Sequence, residues 1–452
     1  MRRHGWTRGW LALRYAPPVA ATLAPTYVAL IRDRVRTPSW IVAFLPPESP
    51  EPTVTSLLAA LRASSLGLKR SAVLPEAEHE GAAFELELEL ELPGGAGRTA
   101  RLGQQPKSEA LDRLHLESAK HDGSGTPPVT ASRFVLGVGL KFGDDPLGDY
   151  HLQLRLLDAV APTAVSMIDV DACVTRPGAW LRETAQRQTP PSPKSLYSIH
   201  QVFEEGRPGV WLHTHGLHRS GVIELEMLDV PEGQALAMAQ LINVVAPLFI
   251  ERGVPEVDEV FEAGRALPLF WRPWERCVAR LRNKALGGSA DRQGSVHELP
   301  SGVLYAPRRR FLGLFGSDAA SPAVYSAMLG DNPLLYVPTM ETRRLEMLSR
   351  ERFEDFRALQ AAHAGQEKWV FLMKLGYPVD GAEDDSREHL WFEVHAIAGD
   401  RVDATLINAP YAVAQLTEGT RGIHDLSLMS DWTILCERGR FDPETVKGLL
   451  SS

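Results

Sequence analysis

His213 and His215 stand two residues apart in a stretch that reads, from 210 to 228, Val-Trp-Leu-His-Thr-His-Gly-Leu-His-Arg-Ser-Gly-Val-Ile-Glu-Leu-Glu-Met-Leu. In an extended chain that spacing turns both imidazoles to one face. Two imidazoles on one face are the beginning of a transition-metal site, and Glu224 offers a third ligand or a carboxylate that fixes a histidine tautomer. Trp211, His218 and Glu226 widen the same constellation into a polar face suited to a small polar ligand or a protein partner. Zinc is the cofactor that this donor set admits. Two hydrolase templates fail on it, however. A His-x-His-x-Asp-His pattern needs Asp where Leu217 stands, and a zinc deubiquitinase-like pattern needs Ser and Asp where Ile223 and Glu226 stand. Nor is a nucleophile presented: Ser220 lies between Arg219 and Gly221, outside any Gly-x-Ser-x-Gly elbow. No residue is assigned a catalytic role.

The element that must position these side chains reads as a β-hairpin. Residues 210–215 and 222–228 are apolar-rich with partial alternation, and the connection carries a glycine at each end, Gly216 and Gly221. A symmetric loop sets His215 opposite Val222, His213 opposite Glu224 and Trp211 opposite Glu226.

With 452 residues the chain is long for one core and suits two or three domains. Hydrophobic residues make up 44%, enough for packed cores, and the net charge of −9 argues against a nucleic-acid binder held by phosphate contacts. Cys173, Cys277 and Cys436 are far apart and form no Cys-x-x-Cys pair, so neither a zinc knuckle nor a disulfide framework is indicated, which fits a reducing cytoplasm. Residues 1–36 are basic and read as a poorly ordered extension. Their apolar run is broken by Arg14, Pro17, Pro18 and Pro25 and is no membrane span.

The remaining pattern is strands, then a helix, then strands, which makes the fold class α+β with a mixed or antiparallel sheet and packed helices. Expected strands are 40–45, 84–92, 134–142, 150–157 and 164–170; expected helices are 53–64, 109–119, 179–188 and 232–250. The Phe/Leu–Glu alternation of 84–92 is a strand with one wet face. Residues 94–106 read as a loop, and Gly137-Val-Gly139 as a closely approached strand rather than a nucleotide loop. Phe270, Trp271 and Trp274 alternate with arginines, and Arg308-Arg309-Arg310 form a small basic patch; packing and cation–π contacts account for the aromatics better than nucleic acid does. The main domain is placed at 37–286, a linker with a helical connection at 287–365, and a small β-rich, barrel-like domain at 366–452.

In that last domain Lys374-Leu-Gly-Tyr, His389-Leu-Trp-Phe-Glu-Val, Asn408-Ala-Pro, Leu416-Thr-Glu-Gly and Ser430-Asp-Trp432 follow in order. This series resembles the bacterial domain of unknown function 2314 family. The Trp-Leu-His-Thr-His-Gly-Leu hairpin followed by Glu-Leu-Glu looks like the domain of unknown function 4026 family, which occurs joined to the first in this order. The resemblance implies an architecture and a bacterial intracellular setting, and brings no reaction with it. Trp391 and Trp432 read as a small barrel's core, Asp431 as a turn-capping carboxylate and Asn408 as a turn residue, with a groove lined by the tryptophans as the binding alternative. Together these features favour a cytoplasmic, non-enzymatic binding or interaction protein, immunity- or stress-associated, whose partner is a protein or a small polar ligand and neither nucleic acid nor membrane. The competing reading is a metal-dependent hydrolase built on His213, His215 and Glu224.

Overall fold

The computed structural model describes residues 23–75, 83–92, 95, 97–105, 107–122, 129, 131–292, 297–308, 319–330, 335–336, 338–381 and 387–450. Within them the chain folds into three sheets in sequence order, clothed by helices, so the α+β class holds. The first sheet comprises β1 (Ser39–Phe44), β2 (Leu68–Val73), β3 (Phe84–Glu91), β4 (Gly97–Gln105), β5 (Val135–Leu140), β6 (Ser166–Asp169) and β7 (Val174–Pro177), ordered β2-β3-β4-β5-β1-β6-β7. In β3 the alternation works as its pattern requires. Leu86, Leu88 and Leu90 are buried while Glu89 and Glu91 are exposed, although Glu85 at the inner end is buried beside Arg101.

Two stretches differ from what the sequence suggests. The span 94–106, rich in glycine and polar residues, contains β4, which pairs with β3 from Gly97 to Gln104. Gly103 belongs there because a Cβ would meet the Phe84 carbonyl oxygen at 2.6 Å. The span 150–157 is not a strand but part of a helix, Pro146–Val160, with Pro146 in its first turn and the Asp145 side chain accepting from the Gly148 N–H at 3.0 Å. This helix is buried nearly all round, so its apolar residues show no clean 3.6-residue stripe and mimic alternation. Gly139 lies under the Trp40 indole, which a Cβ would meet at 2.7 Å. Close approach therefore explains that glycine.

The second sheet comprises β8 (Ser198–Val202), β9 (Val210–His215), β10 (Glu224–Val230), β11 (Phe261–Glu262), β12 (Pro268–Pro273), β13 (Ser301–Pro307) and β14 (Ala319–Ala320), along the path β11-β12-β13-β10-β9-β8 with β14 beside β13. Among the described residues only β10 and β13 run parallel. Thus part of the stretch read as a linker supplies an inner strand. The helix Ala235–Arg252 packs on one face through Met238, Leu241, Ile242 and Val245, all fully buried, each worth about 1.5–3 kcal/mol of apolar burial. It meets the helix-facing side chains Leu212 and Met227, paired across β9 and β10.

Of the basic stretch 1–36, residues 1–22 lie outside the described residues. Residues Pro25–Ile31 form a helix rather than an unordered extension, with Tyr27 buried and its hydroxyl donating to the Ser301 carbonyl oxygen at 2.7 Å. An apolar contact and a specific partner on β13 outweigh the basic composition around them.

The third sheet comprises β15 (Val370–Pro378), β16 (Arg387–Ala398), β17 (Arg401–Leu406), β18 (Arg421–Asp425), β19 (Met429–Cys436) and β20 (Gly439–Phe441), ordered β18-β17-β16-β15-β19-β20. It is an open sheet and not a barrel. Its outer strands β18 and β20 are short and do not pair with each other, and the core forms instead against the helices Thr339–Glu351 and Phe353–His363. Phe356 and Trp432, both fully buried, meet there at 5.0 Å between ring centroids.

Candidate metal centre

All six residues of β9 are buried, because the strand is inner in its sheet and covered on both faces. Alternation sends Leu212 toward the helix Ala235–Arg252 and Trp211, His213 and His215 to the other face. His213 pairs with Glu226 on β10 and with His200 on β8, so His200, His213 and Glu226 form one cross-strand row. This corrects the expected register, which set His213 opposite Glu224. The connection is not a symmetric loop: a 3₁₀ turn, Leu217–Ser220, sits between left-handed Gly216 and Gly221, and β10 begins only at Glu224. The displacement is two residues, an even number, so the faces are kept.

Three imidazoles converge on that face. The ligand nitrogens of His200, His213 and His215 all lie within 4.8 Å of one another, and His213 Nε2 is 3.1 Å from His215 Nε2. A fourth, His297, brings its Nε2 to 3.5 Å from His213 Nε2. Burial, and then the neighbouring imidazoles, push the His213 pKa far down, while burial and His200 push His215 down to about 3. Both rings are therefore neutral, the state in which imidazole ligates metal. His213 Nδ1 is buried and has no hydrogen-bond partner among the described residues, and an unsatisfied buried nitrogen of this kind asks for an explanation.

Around the cluster lies a polar frame. Trp211 stacks on His213 at 3.9 Å and donates from Nε1 to Glu226 at 2.8 Å; Glu226 is also ion-paired with Arg292. Arg292 donates to the His297 carbonyl oxygen at 2.8 Å and lies over the Trp274 ring. One network thus touches two of the four histidines.

Glu224 does not join the cluster. Its carboxylate accepts from Thr214 Oγ1 at 2.6 Å, from the Gly216 and His218 N–H groups at 3.1 Å each, and from His218 Nδ1 at 2.8 Å. The His218 ring reaches Asp171 through Nε2 at 3.2 Å. Burial opposes a charge on His218, but the hydrogen bonds to Asp171 and Glu224 outweigh it and lift its pKa to about 9. His218 is therefore a cation clamped between two carboxylates, and a cation does not ligate. The fold thus brings together His213, His215, Trp211 and Glu226 of the residues singled out in the sequence, and sets Glu224 with His218 in a separate clamp.

The remaining candidates lie in the third sheet. Trp432 is core, and its Nε1 donates to the Ser349 carbonyl oxygen at 3.0 Å. Asp431 lies within β19 rather than at a turn, where burial raises its pKa and Lys374 stands 4.0 Å away. Lys374 lies over Trp391 at 4.8 Å, and Asn408 Oδ1 accepts from the Trp391 N–H at 2.7 Å. Trp271 is core, donating to the Pro255 carbonyl oxygen at 2.8 Å. Arg308 is exposed, while Arg309 and Arg310 lie outside the described residues.

His200 and His297 escape the sequence reading. Their place depends on pairing across β8 and on the approach to β13, and neither has a ligand spacing to the His-x-His pair; the one available signal for His200 was its position in the strand-like segment leading into the hairpin. Family models match three parts of the chain: Protein of unknown function (DUF4026) N-terminal over 123–191, Protein of unknown function (DUF4026) C-terminal over 199–305, and Uncharacterized protein conserved in bacteria (DUF2314) over 349–451. No curated protein and no solved structure matches. All four clustered histidines fall inside the second of these parts, and the chain matches the two DUF4026 models through its central region, followed by the DUF2314 model over the stretch that holds the third sheet.

Proposed function

We propose that this chain is a metal-binding protein in which His200, His213 and His215 hold one divalent transition-metal ion of the zinc class. The observation that carries the reading is the convergence of three ligand nitrogens within 4.8 Å in a buried site. Two nitrogens each 2.0–2.1 Å from a tetrahedral zinc stand about 3.3 Å apart, close to the 3.1 Å between His213 and His215. Two neutral imidazoles 3.1 Å apart share one N–H···N hydrogen bond, whereas a cation at the centre of the cluster takes the lone pair of each ring. Imidazole donors suit zinc, copper, nickel and cobalt over magnesium or calcium.

The activity proposed is binding rather than metal-dependent hydrolysis. Glu224, the carboxylate that a hydrolase on the His213/His215 pair would employ, already accepts four hydrogen bonds. Elemental analysis of the full chain purified without chelators tests the reading. About one equivalent of a first-row transition metal is expected, and its loss in a His213→Ala/His215→Ala double variant; less than about 0.1 equivalent after supplying metal would overturn it, since a three-histidine site retains zinc through purification.

A further inference from the structure

We infer that His297 is the fourth ligand, closing the three-histidine site into an all-imidazole one. This rests on the metal-binding reading above. His297 Nε2 is 3.5 Å from His213 Nε2, within the range that two ligands of one ion require, and its ring lies 5.2 Å from the rings of both His213 and His215. The ring is not carried there by the strands that bear the other three, for His297 precedes β13. Its backbone is instead tied down by Arg292, which donates to its carbonyl oxygen at 2.8 Å and to Ser301 Oγ at 3.3 Å.

The same guanidinium pairs with Glu226, and Glu226 accepts from Trp211, whose ring stacks on His213 and stands 5.4 Å from the His297 ring. Arg292, Glu226 and Trp211 are thus positioning residues for two ligands at once. Outer-shell frames of this kind orient imidazoles at metal sites, and this one spends a buried ion pair on holding His297 beside the cluster. The consequence concerns chemistry. Three protein ligands leave a position for water or substrate, whereas four close the coordination sphere and give a site that holds its ion. The class of ligand is a borderline divalent cation of the cobalt-to-zinc series, bound through nitrogen alone.

Cobalt(II) titrated into the chelator-stripped full chain reads the coordination number directly, because four-coordinate cobalt(II) absorbs visible light several-fold more strongly than five- or six-coordinate cobalt(II). The wild-type chain is expected to bind one equivalent with a tetrahedral spectrum that azide leaves unchanged. His297→Ala is expected to keep the ion with an affinity lower by more than about tenfold, the least that losing even an outer-shell partner costs, and to show a spectrum that azide alters. His297→Gln, which keeps a polar side chain of similar reach, serves as the second variant, with circular dichroism checking the fold of both. A wild-type spectrum that responds to azide, or variants with wild-type spectrum and affinity, would overturn the fourth ligand and leave the three-histidine site standing. A wild-type chain that takes up no cobalt(II) would overturn the site itself and the role of His297 with it.

Discussion

Replacing Glu224 by glutamine removes one of the two carboxylates that face His218 and keeps a side chain of the same shape, so it isolates charge from packing. His218 is raised from 6.5 to about 9 in the folded chain. A group whose folded pKa lies above its unfolded value contributes stability that is complete below pH 6.5 and fades as the pH rises through 9. At about 1.4 kcal/mol per tenfold change, the whole clamp is worth about 3 kcal/mol; with Asp171 still in place, Glu224→Gln should remove about half of that. The assay is urea unfolding followed by tryptophan fluorescence, in the presence of EDTA so that bound metal adds no pH dependence of its own, at intervals from pH 6 to 9. Over the same range His213 and His215, whose pKa values burial holds down, contribute in the opposite sense, so the wild-type midpoint is read against the variant's: the variant should start lower, and the gap between the two should narrow as the pH rises. Burial holds the Cys173 thiol up at about 12, and its loss of stability above pH 8.5 has the same sign, so the difference between the two chains is the quantity to read. A difference between the wild-type and variant midpoints that stays level or grows from pH 6.5 to 9 would refute the clamp.

Two further substitutions test how the hairpin is anchored. Arg219 is fully buried and donates from two nitrogens to Asp169 at 2.8 and 2.9 Å; Arg219→Met leaves that buried carboxylate without its counter-ion, and a loss of about 3–5 kcal/mol in urea unfolding is expected, whereas a loss under about 1 kcal/mol would show the pair to be dispensable. Gly216 has φ of +106°, and a Cβ there would stand 2.6 Å from the Leu196 carbonyl oxygen, so Gly216→Ala should cost at least about 1–3 kcal/mol while Gly233→Ala, with open space around it, should leave the unfolding midpoint nearly unchanged. Equal effects at the two glycines would contradict the turn geometry.

What the sequence made legible was local. His-x-His in an apolar stretch is enough to put two imidazoles on one face, and Thr53, Ser64 and the leucines between them mark a helix that the fold places at Val54–Ala63 with Thr53 as its cap. The third ligand was hidden because His200 reaches the site only through the register of β8 on β9. Glu224 was misplaced by two residues because Leu217–Ser220 coil into a 3₁₀ turn that no simple glycine-to-glycine loop suggests. The stretch 150–157 reads as a strand for the opposite reason: the helix Pro146–Val160 that contains it is buried on almost every side and carries no amphipathic stripe. Periodicity fails where an element is wholly enclosed, and ligand sets fail where they are assembled from separate strands.

The most direct test of the central claim is X-ray absorption at the metal edge of the zinc-loaded chain. The expected spectrum has a first shell of nitrogen at about 2.0 Å, outer-shell scattering from at least three imidazole rings, and no sulfur. A sulfur contribution at about 2.3 Å, or a shell of oxygens without imidazole scattering, would place the ion elsewhere and contradict a metal centre at His200, His213 and His215.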